Sequence, residues 1–283
     1  MSPGSIAASK DLDYPGIIPE NGRLINKYIW YKLLSSNHVE MKLPIIPYRF
    51  FSLGDSAITI DFGNCIDETI NNEVIRRFNQ LQQDPIPGMI EAVPAYSSLT
   101  IHYDVLALKN KSTAGSNVFE WVQQQLLEKL QQPIEQKEIK ERLIKIPVCY
   151  ENEFALDIKQ LAALKNISVG DVIQLHTARS YKVFMLGFLP GFSYMGEVDE
   201  KIAVPRKSQP VNIVAGSVGI AGKQTGIYPM ASPGGWQIIG QTPLKLFDVE
   251  KDEPTLFRAG DTVQFYSIGK NDFEEIKNSN AEK

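Results

Sequence analysis
The sequence predicts an α+β protein, with a ferredoxin-like α/β sandwich over residues 48–150 followed by a β-barrel over residues 151–273. Three observations point there. Amphipathic helices alternate with strand pairs up to about Tyr150, and helical periodicity vanishes after Tyr181. Ten of the chain's 20 glycines then fall between Gly187 and Gly240, interleaved with Ile, Val, Trp and Tyr. A chain of 283 residues is long enough for two such domains.

Composition narrows the function classes. Hydrophobic residues make up 43% and charged residues 22%, which excludes wholesale disorder. A net charge of -4 lacks the basic footprint of a nucleic-acid binder. Two cysteines, Cys65 and Cys149, are too few for a disulfide framework or a cysteine zinc site, and the three histidines are far apart in sequence. No apolar run is long enough to span a membrane, so a cytoplasmic location is the default expectation.

The elements follow in chain order. Residues 1–47 show no sustained hydrophobic period beyond a short helical pattern at Ile25–Leu34, and are expected to be a disordered extension. Met41 could serve as an internal start of translation. Tyr48–Phe62 reads as two strands around a Gly54-Asp55-Ser56 turn. Asp67 can cap a helix to Gln83, whose Ile70, Val74, Ile75, Phe78 and Leu81 share one face before Pro85-Ile86-Pro87-Gly88 ends it. Met89–Pro94 and Ser98–Tyr103 are strands. Ser116 can cap a second helix, Val118–Leu130, and Arg142–Tyr150 is expected to close the sandwich as a fifth strand.

Phe154–Leu164 and Ser168–Arg179 read as short helices, the second capped by Ser168 with Asp171 in its first turn. Beyond them, Ser208–Pro243 carries Lys223 as its sole charge, where average composition would give about eight. Short strands at Val211–Val214, Val218–Ile220, Trp236–Gly240 and Thr262–Ser267, joined by tight turns, suit a barrel. At least one of Gly234 and Gly235 is expected at positive φ, and residues 274–283 are expected to be a tail.

Two segments suit ligand binding. Gly187–Gly196 presents Phe188, Phe192 and Tyr194 around Pro190 and Gly191, giving flat apolar surface beside backbone amides. Gln224–Trp236 carries neutral donors and acceptors, including Gln224, Thr225, Tyr228 and Ser232, with Gly234 and Gly235 before Trp236. Neutral groups suit an amide or lactam, and Arg206 is a candidate clamp for a carboxylate or phosphate. The glycine spacing in Gly216-Ser217-Val218-Gly219 matches neither a P-loop nor a dinucleotide fingerprint, and no helix follows it as a serine-hydrolase elbow requires. His176 reads as a helix-end residue held by local hydrogen bonds.

GFLPGFSYMG at Gly187–Gly196, Pro205-Arg206, and AGSVGIAGKQTGIYPMASPGGWQIIG at Ala215–Gly240 closely resemble the family of 5-oxoprolinase B subunits. That family is also catalogued as KipI-like kinase inhibitors and as allophanate hydrolase subunit 1. YRFFSLGDSAITIDF at Tyr48–Phe62 and VPAYSSLTIHY at Val93–Tyr103 match too. The resemblance implies a cyclophilin-like barrel and a partner, the C subunit of 5-oxoprolinase, completing a shared cleft. It also implies an A subunit, in an enzyme that opens 5-oxoproline to glutamate with ATP and Mg. The phosphorylation step it implies demands positioning and charge stabilisation, for which Arg206 and His176 are the catalytic candidates and Gly216, Ser217 and Lys223 the candidates for ATP. The same family implies two alternatives: inhibition of a sensor histidine kinase, or membership of an enzyme acting on another small amide.

Overall fold
The computed structural model describes residues 46–111, 117–132 and 142–281. The predicted extension up to residue 45 lies outside the described residues. The chain opens with β1 (Arg49–Ser52) and β2 (Ala57–Asp61), then α1 (Glu68–Gln83), β3 (Met89–Pro94), β4 (Ser98–Tyr103), the single turn α2 (Val105–Leu108) and α3 (Val118–Gln131). Asp67 caps α1 by accepting the Ile70 N–H at 2.9 Å. Asn117, one residue beyond the expected Ser116, caps α3 in a reciprocal box with Glu120.

The four strands form an antiparallel sheet in the order β1-β2-β4-β3. Ile58, Ile60, Leu99 and Ile101 pack from it onto Val74 and Leu81 of α1 and Val122 and Leu126 of α3, making one core. The expected fifth strand does not join this sheet. β5 (Leu143–Cys149) instead pairs in parallel along its whole length with β13 (Thr262–Ile268). The edge beside β2 is occupied by β1, while Ile146 and Val148 of β5 are fully buried in the second core.

After β5 come α4 (Ile158–Lys165), α5 (Val169–Thr177), β6 (Ser180–Leu186), β7 (Ser193–Gly196), β8 (Val211–Ile213), β9 (Ser217–Ala221), β10 (Gln224–Ile227), β11 (Ser232–Gly234) and β12 (Gln237–Gln241). β13 is followed by α6 (Lys270–Ala281), so the expected C-terminal tail is largely helical. The barrel closes in the order β10-β7-β6-β13-β5-β12-β9, and β8 and β11 form a separate pair. Its interior holds Val183, Met195, Val218, Ile220, Ile227, Ile239, Val263 and Phe265.

One buried side chain ties the two layers together. Asn71 of α1 donates from Nδ2 to the carbonyls of Ala95 and Tyr96 in the β3–β4 turn, and to that of Phe184 in β6, all at 3.1 Å. Its full burial makes each of these bonds costly to lose. The turn carrying Tyr96 is thereby fixed against the barrel wall. Among the described residues, no helix is long and apolar enough to cross a membrane.

Candidate functional site
β10 has two faces with different chemistry, because successive side chains on a strand alternate. Thr225 and Ile227 point into the barrel, and Gln224 and Gly226 point out.

On the inside, Thr225 meets His176. Thr225 Oγ1 donates to the Gly219 carbonyl at 3.1 Å and lies 3.0 Å from His176 Nε2. The hydroxyl's one proton is thus committed, and Nε2 must carry the proton of the ring. Nδ1 then accepts from the Tyr150 hydroxyl at 2.7 Å. His176 stacks on Phe265 with centroids 4.5 Å apart and has no solvent exposure. Burial drives its pKa down to about 3, so it is neutral at ordinary pH. Tyr181 donates its hydroxyl proton to the His176 carbonyl at 2.8 Å. His176 is therefore held in the barrel core, away from the face that carries Arg206.

On the outside, Gly226 stands opposite Gly219 of β9 and Tyr194 of β7. Missing side chains there leave room for aromatic rings. A Cβ at Gly226 would meet Trp236 Cζ3 at 3.1 Å and Phe192 Cζ at 3.2 Å, and one at Gly219 would meet Trp236 Cβ at 3.0 Å. Phe192 lies at the centre of the layer, with centroids 4.8 Å from Tyr194, 5.1 Å from Tyr228 and 5.4 Å from Trp236. Its neighbour Phe188 has φ +70° and is 62% exposed, at the centre of a three-residue turn closed by Leu189 N–H on the Gly187 carbonyl. That left-handed conformation is strained for an aromatic residue and is found preferentially at functional sites. Pro190 follows, and Gly191 at φ +82° returns the loop to Phe192.

Arg206 is exposed, and its guanidinium carbon sits 5.9 Å from the centre of the Trp236 ring. Bonds on both sides place it there. Gln237 Nε2 donates to the Pro205 carbonyl at 3.2 Å, and the Lys207 N–H donates to the Gly235 carbonyl at 2.7 Å. Lys207 also pairs with Asp157 at 2.7 Å. Arg206 itself has no ion pair among the described residues, so its N–H groups remain for an anion.

Tyr96 completes the cluster from the other layer. Its hydroxyl accepts a hydrogen bond from Gln224 Nε2, and its ring lies 6.1 Å from that of Tyr194 and 5.5 Å from that of Phe184. Burial raises the pKa values of Tyr96, Tyr194 and Tyr228, with the Arg206 charge partly opposing this at each. All three phenols keep their protons at neutral pH. The face therefore joins one cation, an aromatic wall and protonated phenols, a combination whose chemistry suits a small, flat anion.

The remaining candidates divide. Gly234 is packed, since a Cβ would press within 2.6 Å of Ile213 Cδ1, whereas Gly235 has nothing nearer than 3.6 Å. Neither has the expected positive φ; close packing is the constraint at Gly234. Ser232 Oγ is buried without a hydrogen-bond partner among the described residues. Gly216, at φ +81°, and Ser217 commit their amides to the carbonyls of Tyr228 and Val214. Lys223 pairs with Glu200 at 2.8 Å. These three do not converge on one point, and their groups do not fit a triphosphate. Among the described residues, no cluster of His, Cys, Asp or Glu could hold a metal ion.

Sequence reasoning assigns no role to Tyr96 or Asn71. Tyr96 lies within a matched motif, and a large aromatic at the tip of a strand–turn–strand is the signal that could have found it.

Comparison with known proteins agrees with this architecture. Residues 48–257 match the carboxyltransferase domain, subdomain C and D. The chain is 44% identical over 234 residues to the B subunit of 5-oxoprolinase from Bacillus subtilis, covering 82% of this chain and 98% of that one. It is 36% identical to the 5-oxoprolinase B subunit from Escherichia coli O157:H7, covering 77% and 94%. The crystal structure of TTHA0988 superposes with a TM-score of 0.64 at 33% identity, covering 75% of this chain and 40% of that longer one. By both domain match and identity over nearly the whole of its relatives, the chain belongs to the family of 5-oxoprolinase B subunits.

Proposed function
We propose that this chain is the B subunit of an ATP-dependent 5-oxoprolinase of the cytoplasm. With a C subunit it would form the site where 5-oxoproline is activated by phosphorylation and its ring opened to L-glutamate. The observation that carries this reading is Arg206 poised over Trp236 beside protonated Tyr96 and Tyr194. 5-Oxoproline is a flat lactam bearing one carboxylate. A guanidinium suits the carboxylate, aromatic faces suit the ring, and neutral donors suit an amide that carries no charge.

Its poorly electrophilic carbonyl needs activation before water can attack, and ATP would supply that by phosphorylation. Gly216, Ser217 and Lys223 do not fit the phosphates, so the groups holding ATP and Mg are assigned to the partner side of the complex. His176 is assigned a structural role, because a neutral, fully enclosed imidazole has no route for proton exchange with a ligand. The naming of the relatives as B subunits supports further subunits in a complex, which we assign as a C subunit together with an A subunit.

The test is co-expression with a C subunit, followed by ATP hydrolysis measured with and without 5-oxoproline. Hydrolysis that rises with 5-oxoproline supports the reading. A well-formed complex whose hydrolysis ignores 5-oxoproline removes it.

A further inference from the structure
We infer that Tyr96 and Gln224 together read the lactam edge of the ligand, the Tyr96 hydroxyl donating to the ring carbonyl and Gln224 Oε1 accepting the ring N–H. This rests on the proposed 5-oxoproline site, and it names what selects that ligand within it.

The pair's own hydrogen bond sets the polarity. Gln224 Nε2 donates to the Tyr96 oxygen, so the phenol's proton is left to be donated elsewhere. The same bond fixes the Gln224 side-chain amide, and Oε1 has no partner among the described residues. Burial keeps Tyr96 protonated, so it donates and does not repel a carbonyl oxygen. A donor and an acceptor are thus presented next to each other. The C=O and N–H of a five-membered lactam lie side by side because the ring forces the amide to be cis, and they form the complementary edge.

Both groups are held in place. Tyr96 is anchored through its carbonyl by Asn71 and through its ring by Phe184 and Tyr194. Gln224 lies on a barrel strand in register with Gly196 and Ala221. The two residues are 128 positions apart, so the lactam edge would be read across the junction of the two layers while Arg206 holds the carboxylate. Both groups are half-buried, and a ligand that leaves this donor and acceptor unpaired is disfavoured.

L-Proline is the discriminating probe, since it has the ring and carboxylate but no ring carbonyl. In the assembled complex, 5-oxoproline binding is measured by calorimetry and L-proline by its competition with 5-oxoproline, for wild type, Tyr96→Phe and Arg206→Ala. Tyr96→Phe keeps the ring packing and is expected to weaken 5-oxoproline about tenfold, leave L-proline unchanged and keep the melting temperature. Unchanged 5-oxoproline affinity in Tyr96→Phe, with binding lost in Arg206→Ala, overturns the inference and leaves the proposed site standing. Equal weakening of both ligands, or a fall in melting temperature, also overturns it by making Tyr96 structural. Wild-type complex that does not bind 5-oxoproline at all overturns the proposed function itself.

Discussion

Gly219 and Gly226 face each other across β9 and β10, and the Trp236 side chain lies against both, its Cβ over Gly219 and its indole over Gly226. The site's aromatic wall therefore rests on a bare patch of sheet. Neighbouring strands place the wall with backbone precision, since β12 begins one residue after Trp236 and pairs with β9. Rigidity of this kind is what a binding surface needs if its cation is to stay in one position.

Gly234 and Gly235 give a sharp contrast one residue apart. A methyl at Gly234 would collide with Ile213 and the Tyr228 hydroxyl, while one at Gly235 meets nothing closer than 3.6 Å. Gly234→Ala is expected to cost about 2 kcal/mol through overpacking, and Gly235→Ala less than about 0.5 kcal/mol. Urea midpoints of the two variants check this. Equal destabilisation would show that the segment yields as a unit.

His176 makes folding pH-dependent in a definite direction. Its pKa is 6.5 in an unfolded chain and about 3 in the fold. Between those values the unfolded chain holds a proton that the folded one lacks, so stability rises with pH. The contribution is fully present above about pH 6.5 and is lost as pH falls toward 3, at up to about 1.4 kcal/mol per pH unit. His176→Gln is expected to be less stable at pH 8 and to flatten this acid-side slope. Parallel stability curves for wild type and variant between pH 4 and 8 would refute the assignment.

Much of the fold is legible in the sequence because its elements are long and periodic. Val74 and Leu81 recur at helical spacing, and Leu99 and Ile101 alternate on a strand, as the core requires. β7 and β10 read as loop and turns, since four residues containing glycine show too little alternation to register. β5 falls in the other layer from the one its position suggests, because a strand's pattern does not name its partner and β13 lies more than a hundred residues away. The site is half legible. Phe192, Tyr194, Trp236 and Arg206 lie near one another on the outer face, while Thr225 and His176 turn inward, a matter of strand phase that only the closed barrel fixes.

The parallel β5–β13 seam is clasped at its start. Arg142 Nε meets Asp261 Oδ1 at 2.9 Å, and its other arm reaches Asp261 Oδ2 and the Leu256 carbonyl. Asp261 is 5% exposed, so removing the cation strands a buried carboxylate. Arg142→Ala is expected to cost about 2 kcal/mol, moderated because the guanidinium is partly exposed. The double variant with Asp261→Asn should cost less than the sum of the singles, as for groups in contact. Additive losses in a double-mutant cycle would show that the clasp is not an energetic unit.

Arg206 separates binding from folding most cleanly. It is exposed, and its guanidinium meets the Trp236 ring in a cation–π pair worth about 0.5–1 kcal/mol at such a position. Arg206→Ala should therefore lower stability by no more than about 1 kcal/mol, and Trp236 should stay packed between the two glycines. Loss of a preorganised charge is expected to cut 5-oxoproline-dependent ATP turnover of the assembled complex about a hundredfold. Arg206→Lys should recover only part of it, because a single ammonium cannot hold a carboxylate with two parallel bonds. Removing the charge should also relieve the three phenols of a neighbour that opposes their raised pKa values, so Tyr96, Tyr194 and Tyr228 should titrate still higher. Ultraviolet titration of the alanine variant reads that shift without any ligand. A complex with full turnover and an unchanged tyrosine titration would place Arg206 outside the site, whereas lost turnover with the phenols shifted upward puts its charge where the three rings converge.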